Sequence, residues 1–324
     1  MIEKLHYTDR DSWFAIRNDL VYKQSRLGAS QVATACGLSK YGSPLRLYYD
    51  MVGQTKPSKQ SKRMLFGLRI EPEIRFQYQT YSTDEMEWIQ NMEQGLVVNP
   101  IEEVNYILTN SEYSNFFASL DFIDAKNPDF KYPVDSKASQ FVVFKNWGGE
   151  IPTDYKAQLE IQAMIYGSEY ASLAVLVEES IHLMGYNVDL EFRAELLEKS
   201  TEFLDKVKAG KQAYALQLEP GNTQKDIDEL QHIIDSLAPA IDGLDDTTRF
   251  FEEKYSNSNG LSLVGSDVAQ EHRNYYMNAI QLENEAKKIK TQAKNHFLSE
   301  LKEFEKLELA DGYVTYKNKR LSVK

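Results

Sequence analysis

Apolar residues recur along this chain with two periods, and each change of period marks an element. Helical spacing predicts helices over Trp13–Asn18, from Ser30 through Cys36, over Leu45–Val52, and from Met64 through Tyr78 with Glu71 in its middle. Ser43-Pro44 suits the start of the third, because proline lacks the N–H that a first helical turn leaves unpaired. Strand patterning follows over Val97–Leu108 and Phe116–Ile123, with a turn at Asn110–Asn115, and again over Tyr132–Phe144, which Trp147-Gly148-Gly149 closes. Pro152 opens a helix over Thr153–Tyr166 that Gly167 ends. Ala171–Glu178 then reads as a buried strand, His182–Asp189 as an amphipathic one, and Glu191–Leu218 as a long closing helix.

Beyond Pro220-Gly221 the pattern turns acidic and helical, over Asp226–Leu237 and from Asp267 toward Leu309, with a Gly/Ser/Asn loop at Ser256–Ser262 between them. Asp311-Gly312 predicts a hairpin turn between Leu307–Leu309 and Val314–Tyr316, and the spacing from Tyr275 to Phe304 fits a helical hairpin or a protein-docking arm. The expected organisation is an α/β core over residues 1–220 and an acidic helical region over 221–324 that ends in a β-hairpin, with no internal repeat.

Composition narrows the function classes. With 42% hydrophobic and 27% charged residues in 324, the chain can bury a substantial core. Its most apolar run, Ala171–Val177, is far short of the roughly 20 residues of a membrane span. The N-terminus carries an acid and no apolar segment behind it, so no secretory signal and a cytoplasmic location are expected. One cysteine, Cys36, supplies neither an internal disulfide nor the four thiolates of an iron-sulfur cluster, and is expected to be a buried small residue. Five histidines without zinc spacing leave oxygen ligands as the only route to a metal site.

The net charge of −12 conceals an asymmetry: residues 1–70 hold 12 Lys/Arg against 5 Asp/Glu, whereas residues 178–253 hold 7 against 18. A basic face for a polyanion is the expectation, with Lys59, Lys62 and Arg63 in the polar loop Thr55–Arg63 as its centre. Tyr41, Tyr48 and Tyr49 are candidates to lie along a DNA groove.

Candidate chemistry sits in Ser119-Leu120-Asp121 and in Asp135-Ser136-Lys137. Residues two apart on a strand share a face, so Asp135 and Lys137 present a carboxylate and an ammonium to one point. Two hard oxygen ligands on neighbouring strands can hold Mg²⁺ while a lysine steers water. Glu71 adds a helix-borne carboxylate, and Gln158, Gln162 and Tyr166 recur on one helical face. Asp124 is a second choice to Asp121, since three residues on along a strand it faces the other way.

This ordered set resembles the PD-(D/E)XK nucleases, and within them the lambda-type exonuclease or YqaJ-like viral recombinase family. The similar elements are Trp13-Phe14-Ala15-Ile16-Arg17, Gly28-Ala29-Ser30, Leu38 to Leu45, Gly67-x-x-x-Glu71-Pro72, Ser119-Leu120-Asp121, Asp135-x-Lys137 and Ile151-Pro152-x-x-Tyr155-x-x-Gln158, over residues 10–215. The resemblance implies a restriction-endonuclease-like core, a mixed β-sheet flanked by helices. It implies that Asp121, Asp135, Glu71 and the carbonyl of Ser136 bind metal, two Mg²⁺ ions that Mn²⁺ can replace. Lys137 would then position water, Gln158 would orient the lysine or a phosphate, and Arg17 and Ser30 would hold a terminal 5′-phosphate. The second acid is more often Glu in this family; Asp135 is one methylene shorter, which bears on metal spacing.

The implied activity is an ATP-independent exonuclease that degrades the 5′-ended strand of duplex DNA and leaves 3′ tails for recombination. No G-x-x-x-x-G-K-[ST] motor motif occurs in the sequence. The implied partners are duplex DNA ends, a single-strand annealing protein and further copies in a trimeric ring, and no membrane. An endonuclease of the same superfamily and a non-enzymatic DNA-binding or assembly protein are the alternatives.

Overall fold

Two apolar stretches that read as single strands each split between two sheets, and the second split builds the site. The structure, a computed structural model, describes residues 1–55, 62–257, 262–318 and 320–323, in two units, Met1–Ser256 and Asn257–Lys324. The first unit begins with β1 (Ile2–His6), α1 (Arg10–Asn18), a π-helical turn (Asp19–Lys23), β2 (Leu27–Gly28), α2 (Ala29–Ala35), α3 (Pro44–Val52), α4 (Lys62–Thr80) and α5 (Glu85–Gln94). It continues through β3 (Ile101–Glu103), β4 (Tyr106–Asn110), β5 (Phe116–Ser119), β6 (Phe122–Asp124), β7 (Tyr132–Ser139), α6 (Phe141–Lys145) and α7 (Thr153–Tyr166). β8 (Tyr170–Val177), β9 (Ser180–Asn187), α8 (Leu190–Gln217), α9 (Gln224–Leu237) and α10 (Asp245–Lys254) complete it.

One sheet has the order β1-β4-β5-β2 and the other β3-β6-β7-β8-β9, a mixed α/β core flanked by helices. The run Val97–Leu108 therefore becomes β3 in one sheet and β4 in the other, and Phe116–Ile123 becomes β5 and then β6. Both sheets bury their share, Tyr106–Leu108 and Phe116–Ala118 on one side and Phe122–Ile123 on the other, and in the second run Ser119 and Asp121 alternate with apolar residues as they would in one continuous strand, which masks the crossing. Leu120 and Asp121 lie at that crossing, outside the strands.

β7 and β8 are parallel neighbours, which requires a crossover segment, and α6 with α7 provides it. The strand expected over Tyr132–Phe144 ends at Ser139, opposite Val177, the last residue of β8. With no partner strand left, Phe141–Lys145 coils into α6. α7 is buried on two faces: Ala157, Ile161 and Ile165 join the core that includes Val32, Leu108 and Phe117, while Leu159 and Ala163 pack with Leu173 and Val175 of β8. Gly167 ends α7 at φ +86°, a left-handed conformation that glycine adopts without a Cβ penalty.

The change of composition at Pro220 is not where packing stops. Ile234 of α9 and Phe250 of α10 are fully buried in the same core as Tyr48 and Val52, which extends that core to the end of the first unit. Tyr48 donates to the Ile234 carbonyl at 2.9 Å and Tyr49 to Asp235 at 2.6 Å, so these two tyrosines are core anchors and do not line a groove; Tyr41 is exposed. Cys36 is half-buried, its Sγ 3.4 Å from the Ser200 hydroxyl.

The second unit consists of α11 (Asp267–Leu301) and an antiparallel sheet of β10 (Lys306–Leu309), β11 (Gly312–Lys317) and β12 (Arg320–Val323). The hairpin turn at Asp311-Gly312 is present, and β12 adds a third strand to it. The helix expected to run toward Leu309 stops at Leu301, where Lys302 takes φ +48° and Leu301 and Val314 are buried. Among the described residues no helix is long and apolar enough to cross a membrane.

Candidate active site

Asp121 owes its position to the sheet crossing and its orientation to Ser136. The backbone N–H and the hydroxyl of Ser136 on β7 both donate to Asp121 Oδ2, each at 2.7 Å. Next to it Asp135, only 2% exposed, accepts from Gln158 Nε2 at 2.5 Å and from Gln162 Nε2 at 3.1 Å, both on α7. Lys137, on the same face of β7, donates to the other oxygen of Asp135 and lies 5.5 Å from the centre of the Tyr155 ring. Glu71 on α4 is held by Arg75 one turn later.

The charges interact. Burial raises the Glu71 carboxyl above its usual range, with repulsion from Asp121 adding to it. Burial raises Asp135 too; Lys137 opposes this and Asp121 reinforces it. Burial alone would lower Lys137, but Asp135 and Asp121 outweigh it and its ammonium is held above the usual value.

Among the described residues no three His, Cys, Asp or Glu side chains converge as a ready-made metal cage. The donor set nevertheless suits a hard divalent cation: three carboxylates with no sulfur or imidazole among them, whose like charges, Asp121 against Glu71 and Asp135, repel one another until a cation lies between them.

Apart from Gln162, which is fully buried behind Asp135, these groups line one cleft of about 1760 Å³, larger than the 300–1,000 Å³ or so of small-molecule pockets and suited to a polymer. Arg17 and Ser30 line it as well. Arg17, on α1, pairs with Tyr22, and burial lowers its pKa. Ser30 is the second residue of α2 and not its cap, which is Gly28; its exposed hydroxyl has no partner among the described residues. A Cβ at Gly28 would come within 2.9 Å of the Phe117 ring, so glycine lets the start of α2 approach β5. Lys62 and Arg63, at the start of α4, reach the same cleft, whereas Lys59 lies outside the described residues.

The structure separates other candidates from the site. Asp124 is buried elsewhere, accepting from the Tyr78 hydroxyl at 2.7 Å. Tyr166 packs against the core, leaving Gln158 and Gln162 as the members of that helical face that touch Asp135. Ser136, expected to contribute its carbonyl to a metal, is seen to contribute its N–H and hydroxyl to Asp121. Arg75 was not anticipated as a site residue, and its place one helical turn beyond Glu71 is the trace it leaves in the sequence; Gln162, anticipated as part of the polar face of α7, donates directly to Asp135.

Residues 12–169 match the model of the YqaJ-like viral recombinase domain. Arg17, Ser30, Glu71, Asp121, Asp135, Ser136, Lys137 and Gln158 all fall inside this matched segment. The chain is similar to the uncharacterized protein YqaJ of Bacillus subtilis (strain 168), 22% identical over 301 residues that make up 91% of this chain and 79% of that one. Among solved structures it is similar to an alkaline exonuclease, LHK-Exo, of Laribacter hongkongensis, at 18% identity over 64% of this chain and 97% of that one, with a TM-score of 0.48. A complex of LHK-Exo with dAMP matches at 17% identity, 65% and 100% coverage and a TM-score of 0.49. A phage-related exonuclease of Haemophilus somnus 129PT matches at 11% identity, 56% and 95% coverage and a TM-score of 0.39.

Proposed function

We propose that this protein is a metal-dependent exonuclease that hydrolyses the 5′-ended strand of duplex DNA without ATP and leaves 3′ single-stranded tails for recombination. The observation that carries the reading is the meeting of Asp121, Asp135, Lys137 and Glu71 in a cleft that also holds Arg17 and Ser30. Asp121, Asp135, Glu71 and the Ser136 carbonyl would hold divalent cations, Mg²⁺ or Mn²⁺, in a two-ion site. When bound, these ions supply Lewis acidity at the scissile phosphate.

The chain's own groups do the rest. Lys137 Nζ donates a hydrogen bond to the attacking water and fixes its approach, while Gln158 keeps Asp135 aimed at the same point. Water oxygen bonds to phosphorus as the bond from phosphorus to the 3′ oxygen breaks, and a proton passes to that oxygen. Each cut leaves a new 5′-phosphate on the shortened strand. Arg17 and the Ser30 hydroxyl bind that phosphate, which carries more negative charge than an internal phosphodiester. A duplex end is thus the substrate, and a single-strand annealing protein is the fitting consumer of the 3′ tail. Action in the cytoplasm, and further copies in a ring around the DNA, belong to the same proposal.

The test is linear duplex with 5′-phosphate, 5′-hydroxyl or closed ends, incubated with Mg²⁺ or with chelator. The expected result is rapid loss of the 5′-phosphorylated strand, slow loss of the hydroxyl form and none with closed ends or chelator. Degradation from the 3′ end, or cutting of closed duplex, contradicts the proposal.

A further inference from the structure

α1 opens with a residue that its own stability does not favour. Arg10 is the first residue of the helix, where the macrodipole favours an anion over a cation, and the capping Asp9 directs its carboxylate to the Ser12 N–H at 2.8 Å. The Arg10 side chain is exposed in the cleft that holds Asp121 and Glu71, and it makes no ion pair or hydrogen bond among the described residues. Glu71 attracts it but is already paired with Arg75. The flat face of its guanidinium is nevertheless held, with the central carbon 4.1 Å from the centre of the Trp13 ring and 4.6 Å from that of Phe14. Arg17, two helical turns on and so on the same side of α1, places its guanidinium carbon 5.8 Å from that same Trp13 ring. Trp13 Nε1 in turn donates to the Ser119 hydroxyl at 3.0 Å, two residues before Asp121. One indole thus holds two guanidinium groups in a fixed relation to the carboxylates, and a stacked guanidinium with its N–H donors unused is suited to a phosphate.

We infer that Arg10 binds the first internal phosphodiester of the 5′-ended strand, the linkage that is cut, while Arg17 takes the terminal phosphate. The inference rests on the exonuclease reading above. The order of the two arginines follows from their surroundings. Arg10 is the member of the pair that feels Glu71, and the neighbouring Tyr7 feels both Glu71 and Asp121, whereas burial and Tyr22 govern Arg17. Arg10 therefore stands nearer the carboxylates. Arg17 is half-buried and held by Tyr22, as suits a chain end that stops in a pocket; Arg10 is open, as suits a phosphodiester that passes on into the strand. Both guanidinium groups lie against one ring, so their separation cannot exceed the sum of their distances from it, which suits phosphates that are neighbours on one strand. Negative charge grows on the scissile phosphate as water attacks, and the Arg10 donors meet it there. The pair also sets the interval from chain end to cut bond at one nucleotide.

The test is a double-mutant cycle in binding, with the second change made in the DNA. A 5′-phosphorylated duplex carries either an ordinary first linkage or a methylphosphonate there, which keeps the shape and removes the charge. Affinity is read by fluorescence anisotropy with Mg²⁺ in the Lys137→Ala background, so that the strand stays whole. Arg10→Ala should weaken binding of the ordinary duplex by about tenfold, the methylphosphonate should do the same to the protein that keeps Arg10, and the two together should cost no more than either. Arg17→Ala should instead couple to removal of the 5′-phosphate. In turnover with Lys137 in place, Arg10→Ala should slow phosphorylated and hydroxyl ends alike by about 100-fold, leaving their ratio unchanged, and Arg10→Lys should recover only part, since it restores the charge without the stacked fork. Arg10 is exposed, so neither substitution disturbs the core. Additive losses from Arg10→Ala and the methylphosphonate, or unaltered turnover in Arg10→Ala, overturn the inference and leave the exonuclease reading standing. Failure of the unmodified protein to degrade the phosphorylated duplex overturns that reading, and the inference with it.

Discussion

Asp121 and Ser136 are joined twice, the amide and the hydroxyl of Ser136 both donating to one oxygen of Asp121 at 2.7 Å. The bond pair ties the point where the chain leaves one sheet to the central strand of the other, and leaves the second Asp121 oxygen for a ligand. Ser136→Ala removes one of the two donors and keeps the amide, so its effect should be that of a lost orienting group, about 10- to 100-fold in rate. Asp121→Ala should lose all measurable turnover. Comparison of the two variants by nucleotide release, with circular dichroism as the folding control, checks this; equal losses contradict a merely orienting role for Ser136.

Gln158 and Gln162 both donate to the same oxygen of Asp135, which is otherwise buried. Removing either donor should slow turnover by about tenfold while weakening metal binding only slightly, and removing both should cost more than either alone. Isothermal titration with Mn²⁺ alongside rate measurements separates the two effects. An unchanged rate in Gln162→Leu would mean that the glutamine serves only to pack α7.

The cleft should bind DNA through phosphate neutralisation, despite the net charge of −12, because Arg17, Lys62 and Arg63 all line it. Binding should therefore weaken steeply with salt, and Lys62→Glu with Arg63→Glu should reduce the log–log salt slope by about 2 without changing sequence preference. Salt-insensitive binding places the DNA on another surface.

Alkaline stability tests the packing of α9. Burial raises Tyr48 from 10.0 to about 12. The folded state thus keeps a proton that the unfolded state releases, so the stabilisation is complete below pH 10 and is lost as the pH rises toward 12. Tyr48→Phe should flatten that part of the melting-temperature profile and lower stability at neutral pH by about 1 kcal/mol, since the Ile234 carbonyl loses its donor. Unaltered melting at both pH values contradicts the anchoring role.

Spacing put Asp135 and Lys137 on one face of a strand, as the structure has them, but their choice as candidates rested on the ordered set of motifs that the chain shares with a known family. What was hidden depends on long-range topology. The split of Phe116–Ile123 between two sheets is masked because both halves are buried and Ser119 and Asp121 fit the alternation of a single strand, and so Asp121 reads as a strand residue when it lies at a crossing. Arg75 is an ordinary polar residue until α4 is brought against β7. The helices Glu85–Gln94 and Asp245–Lys254 escaped notice because each buries little apolar surface, only Asn91 in the first and Thr247 and Phe250 in the second. The small first strand, Ile2–His6, is mostly exposed and shows no periodic burial.

The most direct measurement of the central claim is strand loss from a linear 5′-phosphorylated duplex, labelled separately at its two ends, with the unmodified protein and with Lys137→Ala, in Mg²⁺ and in chelator. The account predicts degradation of the 5′-ended strand only by the unmodified protein and only with Mg²⁺, with Lys137→Ala folded, still able to bind metal and at least about 100-fold slower. Near-normal degradation by folded Lys137→Ala, or degradation that persists in chelator, would contradict it.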